Sequence, residues 1–189
     1  MKKFLSFILA CFITCSLAGC AKEQTQNAPE KEEHVKNTLE ILTKTWDAYP
    51  EDDKFAIMGG DYEQMTENAP GAFDVSDTES LQSLLIVPED LATMINDASS
   101  LMHAMNANTF TGASFHLTDS KNAETFANRL KDALLQNQWM CGFPEQLLLV
   151  QIDSDYVVSA FGNGEMIQKF KTALTEQYPS ANVLAEEAF

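Results

Sequence analysis

Two methionines and two histidines are the residues of this sequence whose types suit a soft metal ion. Met102, His103 and Met105 fall within four residues, and His116 lies further along the chain. Thioether and imidazole groups are ligands that copper accepts. Three side chains this close together in a regular strand or helix cannot easily face one ion, so the pattern favours core packing with His103 partly exposed. We predict no metal and no other cofactor, with His103 and His116 as weak ligand candidates.

A very apolar loop provides the second set of candidate residues. Residues 138–144 read Gln-Trp-Met-Cys-Gly-Phe-Pro and fall between a predicted helix and a predicted strand. Such a segment either plugs the space under a sheet, which we favour, or forms an exposed contact patch. Cys141 is either a small apolar packing residue, which we favour, or a reactive thiol. Among all the candidates, the best for a binding function are Trp139, Met140, Cys141 and Phe143.

Two further patterns look like ligand sites but are better explained by local structure. The acidic residues at 74, 77 and 79 lack the alternating ligands and the central glycine of a calcium-binding EF-hand loop, so they predict turns and helix caps. Residues 162–165, Gly-Asn-Gly-Glu, stand where a strand meets a helix, a place that favours anions. Because the third glycine of a dinucleotide loop is missing and Glu165 is itself negative, this motif predicts a turn and a helix start.

The first 20 residues form the strongest local signal. Two lysines precede an apolar run at residues 4–17, which suits a signal peptide but is shorter than the roughly 20 residues of a membrane-spanning helix. The run ends in Leu17-Ala18-Gly19-Cys20, which resembles a bacterial lipobox at all four positions. We predict that residues 1–19 are removed and that Cys20 is lipidated. An ordinary cleaved signal and an uncleaved anchor are the alternatives.

Lipidation leaves the remaining cysteine without a disulfide partner inside the chain. Cys11 and Cys15 are lost with the signal, Cys20 is acylated, and Cys141 stands alone. The absence of a Cys-x-x-Cys argues against a thiol oxidoreductase. More than one acyl chain is needed for stable anchoring, and a mature bacterial lipoprotein bears two or three. The predicted location is therefore the cell membrane, with the protein facing outside the cytoplasm.

The charge of the chain limits its partners. It has 28 acidic and 12 basic residues and a formal net charge of −16 at pH 7. Two of the lysines precede Cys20, so the mature chain carries −18. Such a field repels nucleic acid and anionic lipid headgroups, and we expect neither as a partner. We interpret the acidic surface as a solubilising one, with cation binding as the alternative.

Composition changes near residue 34. Residues 20–34 have no large apolar side chain and predict a lipidated, flexible tether with a reach of about 20 Å. Residues 35–189 are apolar enough for a single α+β domain with a real core. Its first half predicts a helix at 35–49, a strand at 55–58, a short helix at 61–66, a turn at 68–71, and helices near 79–85 and 88–95.

The second half, about 109–188, predicts the succession βαββαβ. Strands are expected at 109–117, 145–153, 156–161 and 182–187, with helices at 120–137 and 165–177. This is the ferredoxin-like, or split βαβ, plan, with sheet order 4-1-3-2 and both helices on one face. Since Leu147 and Leu149 alternate with Leu148 and Val150, both faces of that strand need burial. We expect the N-terminal helices and the 55–58 run to pack on the second face.

Five strings along the chain are distinctive: Met58–Asp61, Glu67–Phe73, Leu101–Leu117, Gln138–Leu147 and Asp155–Asn163. Together they resemble small lipoproteins of gut-type anaerobic bacteria that are labelled bacteriocin transport accessory protein and are similar to a DUF4358-type domain of unknown function. The resemblance covers roughly residues 36–187. It implies an extracytoplasmic lipoprotein linked to peptide transport, with no established chemistry.

These features predict a membrane-anchored domain that binds a protein, peptide or small ligand and is not an enzyme. The anchor is the lipid on Cys20, and the binding element is the 138–144 loop or the second sheet face. The alternative is an extracytoplasmic enzyme or metal-binding protein in which folding brings His103, His116 and acidic residues together.

Overall fold

An antiparallel sheet with helices on both faces organises residues 34–189, the part of the chain that the computed structural model describes. These residues form one compact unit. The helices are α1 (Thr38–Ala48), α2 (Thr78–Leu85), α3 (Glu89–Ala92), α4 (Ala123–Gln136) and α5 (Gly164–Gln177). The strands are β1 (Ile57–Gly59), β2 (Thr66–Glu67), β3 (Gly71–Phe73), β4 (Ile95–His103), β5 (Phe110–Leu117), β6 (Gln146–Ile152), β7 (Tyr156–Gly162) and β8 (Asn182–Ala188).

Side-chain caps define where the longer helices begin. The carboxylate of Asp77 accepts a hydrogen bond from Ser80 N, as the sequence predicts for this helix start. The Asn163 side chain accepts from the backbone of residues 165 and 166 at the start of α5. Each cap satisfies a backbone N–H that has no partner within its helix. The 162–165 motif is therefore the predicted turn and helix start.

The C-terminal half contains the predicted βαββαβ succession, but its predicted sheet order is wrong. The sheet runs β2-β1-β4-β5-β7-β6-β8, and β3 pairs with β4 beside this path. The last strand, β8, pairs with β6 instead of β5. The place beside β5 is taken by the nine-residue strand β4. The predicted elements include no strand between residues 58 and 109, so the predicted sheet order has no place for β4.

The changed order moves the two long helices to opposite faces, where the prediction had both on one. The connections β5-α4-β6 and β7-α5-β8 each step two strands in the same direction, but β5 and β7 run in opposite directions. Two right-handed connections then place their helices on opposite sides of the sheet. The packing agrees: α2, α3 and α4 cover one face, and α1 and α5 cover the other.

Burial of both sheet faces is confirmed. Leu147 and Leu149 lie in one core cluster, and Leu148 and Val150 lie in the other. Of the N-terminal helices, only α1 covers the second face, whereas α2 and α3 join α4 on the first. The 55–58 run extends the sheet itself through β1, because its backbone pairs with the end of β4.

The distinctive sequence segments at 58–61 and 67–73 lie where two stretches of backbone cross in close contact. A Cβ atom at Gly59 would lie 2.1 Å from Gly71 N, so only glycine fits there. Asp61, 2% exposed, accepts hydrogen bonds from three backbone N–H groups, those of residues 63, 64 and 74. These bonds close a turn in place of the predicted helix at 61–66. In the turn at 68–71, the positive φ falls on Asn68.

The sheet has two ends that differ in character, and we name them by what lies there. The tether pole consists of residues 34–37, 95–97, 116–118 and 153–156, and it includes the point where the segment before residue 34 joins the domain. The loop pole consists of residues 103–109, 137–145 and 162–163 together with Phe189. The eight residues of β5 separate the poles by about 24 Å.

Candidate functional site

The contact loop, residues 138–144, connects α4 to β6 at the loop pole and is held by two asparagines. Asn106 Nδ2 donates to Cys141 O at 2.8 Å, and Asn108 Nδ2 donates to Gly142 O at 3.0 Å. Gly142 has a φ of 114°, a conformation that favours glycine. Because a loop outside the sheet must satisfy its carbonyl groups in another way, these amides determine the path of its backbone.

The apolar side chains and the thiol of the contact loop divide into two inward ones, Trp139 and the buried Pro144, and three outward ones. Trp139 is half-buried, with ring centroids 5.2 Å from Phe161 and 5.6 Å from Phe189. Met140 is 89% exposed and Phe143 is 78% exposed. The expected packing of Cys141 is wrong, because its thiol is exposed. The plug, which the sequence favours, describes only Trp139 and Pro144, whereas the contact patch describes Met140, Cys141 and Phe143.

A groove lies beside the contact loop, formed by two adjoining cavities that share Asn106 and Asn108. The smaller, about 170 Å³, also meets Phe143, Glu145 and Asn163. The larger, about 260 Å³, runs along Asn137, Gln138, Trp139 and Ile86 to Phe161. We call these two cavities together the amide groove, since carboxamide side chains dominate its polar lining. Among the described residues, this groove combines exposed apolar side chains with polar groups in one concave surface.

The anion-binding position at the start of α5 is already occupied by the protein. Glu145 Oε2 accepts hydrogen bonds from Gly164 N at 2.8 Å and from Asn163 Nδ2 at 3.1 Å. A carboxylate at a helix N-terminus is stabilised by the unpaired N–H groups and the helix dipole. Glu145 therefore fixes the C-terminal end of the contact loop, which it directly follows, and fills the place where an external anion would bind.

His103 lies at the loop pole and packs against an aromatic ring. Its ring stacks on Phe55 at 5.1 Å, and its Nδ1 accepts a hydrogen bond from Met105 N at 3.2 Å. Met102 is buried, whereas Met105 is 89% exposed, so the three candidate soft ligands do not converge. The partly exposed position expected for His103 is confirmed.

His116 lies at the tether pole, where it contacts a carboxylate, an amide and a phenol ring. Its Nε2 is 3.1 Å from Asp155 Oδ2, and its Nδ1 bonds Asn96 Oδ1. The ring packs on Tyr156 at 4.6 Å. Burial, followed by the charge of Asp155, raises the pKa of Tyr156 above its usual value. These contacts hold the imidazole at the surface of the sheet end.

The two candidate histidines are far apart. His116 faces Asp97 in the β4–β5 ladder, and His103 lies six residues further along β4, about 20 Å away. Among residues 34–189, no group of three histidine, cysteine or acidic side chains is arranged to hold a metal ion. The acidic residues 74 and 77 instead accept hydrogen bonds from nearby serines, which lower the pKa of both carboxyl groups. Their predicted turn and capping roles are confirmed.

The predicted lipidation site, Cys20, lies outside the described residues. Within the described range, no helix has the length and apolar character to cross a bilayer. Comparisons with protein-family models, with curated proteins and with solved structures found no match for this chain.

Proposed function

We propose that this protein is a lipid-anchored, extracytoplasmic binding domain that recruits a partner through the contact loop and is not an enzyme. Cys20 carries the anchor in this proposal, and the accessory role in peptide transport follows from the family resemblance. The observation that carries the proposal is the exposure of Met140 and Phe143 on a loop whose backbone is held by Asn106 and Asn108.

The loop has the properties of a preorganised contact surface. Exposed apolar side chains lose water when a partner covers them, which favours binding. Because side-chain amides and Gly142 already hold the loop in one conformation, little ordering entropy is lost on association. The half-buried Trp139 supports the loop by packing against Phe161 and Phe189.

The alternative, an enzyme or metal-binding protein that uses His103 and His116, has less support. The two imidazoles lie at opposite poles of the sheet, and each is engaged with its own neighbours. A catalytic acid–base pair requires its groups to be within hydrogen-bonding reach of one substrate. The separation of about 20 Å leaves no common position for one.

Anchoring is tested by acylation of the native chain. Wild-type protein is expected to incorporate labelled palmitate and to sediment with membranes, whereas Cys20→Ser is expected to do neither and to retain residues 1–19. Cys141→Ser is the matched control, because it removes a thiol without touching the lipobox. Normal processing and membrane association of Cys20→Ser would rule out the anchor.

Recruitment is tested by site-specific crosslinking in intact cells. A photoreactive benzoylphenylalanine at position 143 is expected to give a discrete crosslinked product. The same residue at position 65 is the control, because Met65 is also exposed, at 59%, but lies on the β1–β2 connection. Equal products from both positions, or none from position 143, would exclude the contact loop as the binding element.

A further inference from the structure

The amide groove has the hydrogen-bonding chemistry of a site that recognises a peptide backbone. Asn137 and Gln138 line its larger cavity. Asn108 and Asn163 line the smaller one, where their amide N–H groups already donate to Gly142 O and Glu145 Oε2. A carboxamide offers both donors and an acceptor, as a peptide group does. No protein group among residues 34–189 bonds the side-chain amides of Asn137 and Gln138, and the buried Nε1–H of Trp139 has no acceptor there.

The groove is bordered by apolar side chains that adapt to different partners. Met140 and Phe143 flank the cavities and are largely exposed. Methionine is unbranched and polarisable, which allows it to pack on ligand side chains of different shape. A ligand that satisfies the amides therefore also needs apolar side chains to cover these two residues.

The negative charge of the domain favours a positively charged ligand. Residues 34–189 contain 24 acidic and 8 basic side chains. Six of the basic side chains are in ion pairs with acids of the same domain, at positions 44, 54, 129, 131, 169 and 171. The remaining negative field attracts cationic molecules and repels anionic ones.

We propose that the amide groove binds an extended segment of a cationic peptide through the backbone of that segment, with apolar ligand side chains covering Met140 and Phe143. This inference rests on the proposed function of the contact loop and names the class of its partner. The segment is extended because a helix has already used its own backbone hydrogen-bonding groups. The groove size is also appropriate, since cavities of 170 and 260 Å³ that adjoin each other hold a few residues.

A bilayer surface is the competing occupant for exposed methionine and phenylalanine. The observations favour the peptide for two reasons. The acidic domain repels anionic headgroups. Carboxamides line the groove, and lipid chains offer a carboxamide no hydrogen bond. The contact loop also lies about 24 Å from the tether pole, where the anchored segment joins the domain.

The test uses mature chain with Cys20→Ser, to keep it in solution, and fluorescein-labelled decapeptides followed by anisotropy. A peptide of alternating lysine and leucine is expected to bind at least tenfold more tightly than one of glutamate and leucine or one of lysine and serine. Phe143→Ser is expected to weaken this binding about tenfold, since a buried aromatic contact is lost. Gln138→Ala is expected to weaken it about threefold, and Met65→Ser, the matched control, less than twofold.

Three results would overturn the peptide assignment. They are equal binding of the lysine–serine peptide, binding that is insensitive to Phe143→Ser, and binding of the protein to neutral phosphatidylcholine vesicles that Phe143→Ser abolishes. The crosslinking experiment at position 143 remains separate from these results. A discrete crosslink there without any affinity for the lysine–leucine peptide would reject the peptide class and leave the contact loop as a binding element.

Discussion

The tether pole and the loop pole are two ends of one sheet, yet different chemistry holds each together. At the tether pole, carboxylates bond to the backbone: Asp153 accepts from Val35 N, and Asp97 accepts from Thr38 N and Oγ1. At the loop pole, the Glu145 carboxylate also accepts from a backbone N–H, that of Gly164, but the contact loop itself is held by the neutral amides of Asn106 and Asn108 while Met140 and Phe143 stay exposed. Hydrogen bonds to an ionised carboxylate are stronger than those between neutral groups, so the start of α1 is held more tightly than the contact loop.

At the loop pole, a single methyl group at Gly162, the last residue of β7, is expected to cause a large loss of stability. Gly162 has a φ of 145°, and a Cβ atom there would lie 2.3 Å from Thr109 O. Gly162→Ala should lower the free energy of unfolding by at least about 3 kcal/mol. Gly164→Ala is the matched control, since its Cβ would meet ordinary contacts at 3.4 Å or more, and it should change stability by less than about 1 kcal/mol. Urea denaturation measures both, and similar losses would contradict the close approach of Gly162 to Thr109.

Within the contact loop, the inward and outward aromatic residues should separate stability from binding. Trp139→Ser removes a half-buried ring that packs on Phe161 and Phe189, and it should cost about 2 kcal/mol of stability. Phe143→Ser changes a side chain that is already exposed and should cost less than about 0.5 kcal/mol. Thermal and urea unfolding of the two variants provide the comparison. A large loss from Phe143→Ser would mean that the loop is a structural plug.

The tether pole is expected to loosen when its carboxylate cap is removed. Asp97→Ala leaves the first backbone N–H of α1 without its acceptor and should destabilise the domain by about 1–2 kcal/mol. Asp47→Ala, at an exposed position of the same helix, should change stability by less than about 0.5 kcal/mol. Hydrogen exchange should accelerate at residues 35–38 in the first variant only. Unchanged hydrogen exchange at residues 35–38 would show that Asp97 does not stabilise the start of α1.

The smallest effect is expected from acid pH at the β8 edge. Hydrogen bonds from Lys171 and then Gln168 lower the pKa of Glu186 below its ordinary value of 4.5. Its contribution to stability is therefore complete above pH 4.5 and is lost as the pH falls through the lower, folded-state pKa. Glu186→Gln should flatten the decline of stability between pH 5 and 3, as measured by urea midpoints. An unchanged pH dependence would contradict this linkage.

Local patterns predicted the elements of residues 109–188 well, but they missed β2, β3 and β4 and gave a helix at 61–66 where the chain turns. Sheet order required information that local patterns do not contain. The alternation around Leu147–Val150 correctly indicated that both sheet faces are buried, and Asp77 correctly marked a helix start. The ferredoxin-like order failed because β4 occupies the position beside β5 that the last strand was expected to take. Strand pairing across the chain depends on which partner packs better, and no single segment encodes that competition.

The candidate site was predicted only in part, for a related reason. The apolar composition of residues 138–144 identified the contact loop, but it favoured burial, whereas Met140, Cys141 and Phe143 are exposed. That outcome depends on Asn106 and Asn108, which lie more than 30 residues away in sequence and hold the loop through its carbonyl groups. Asparagine is common in turns, so no signal in the sequence links those two residues to the loop.

The orientation of the poles at a membrane is the most direct test of a lipid-anchored domain with an outward contact loop. The lipidated protein is bound to phosphatidylcholine vesicles whose headgroups carry a nitroxide quencher. One sample has a fluorophore on Cys141. The other has it on the cysteine of Lys36→Cys, in a Cys141→Ser background. We expect strong quenching of the label at position 36 and weak quenching at position 141, because the poles are about 24 Å apart. Equal or stronger quenching at position 141, or failure of the native protein to associate with the vesicles, would contradict the proposed arrangement.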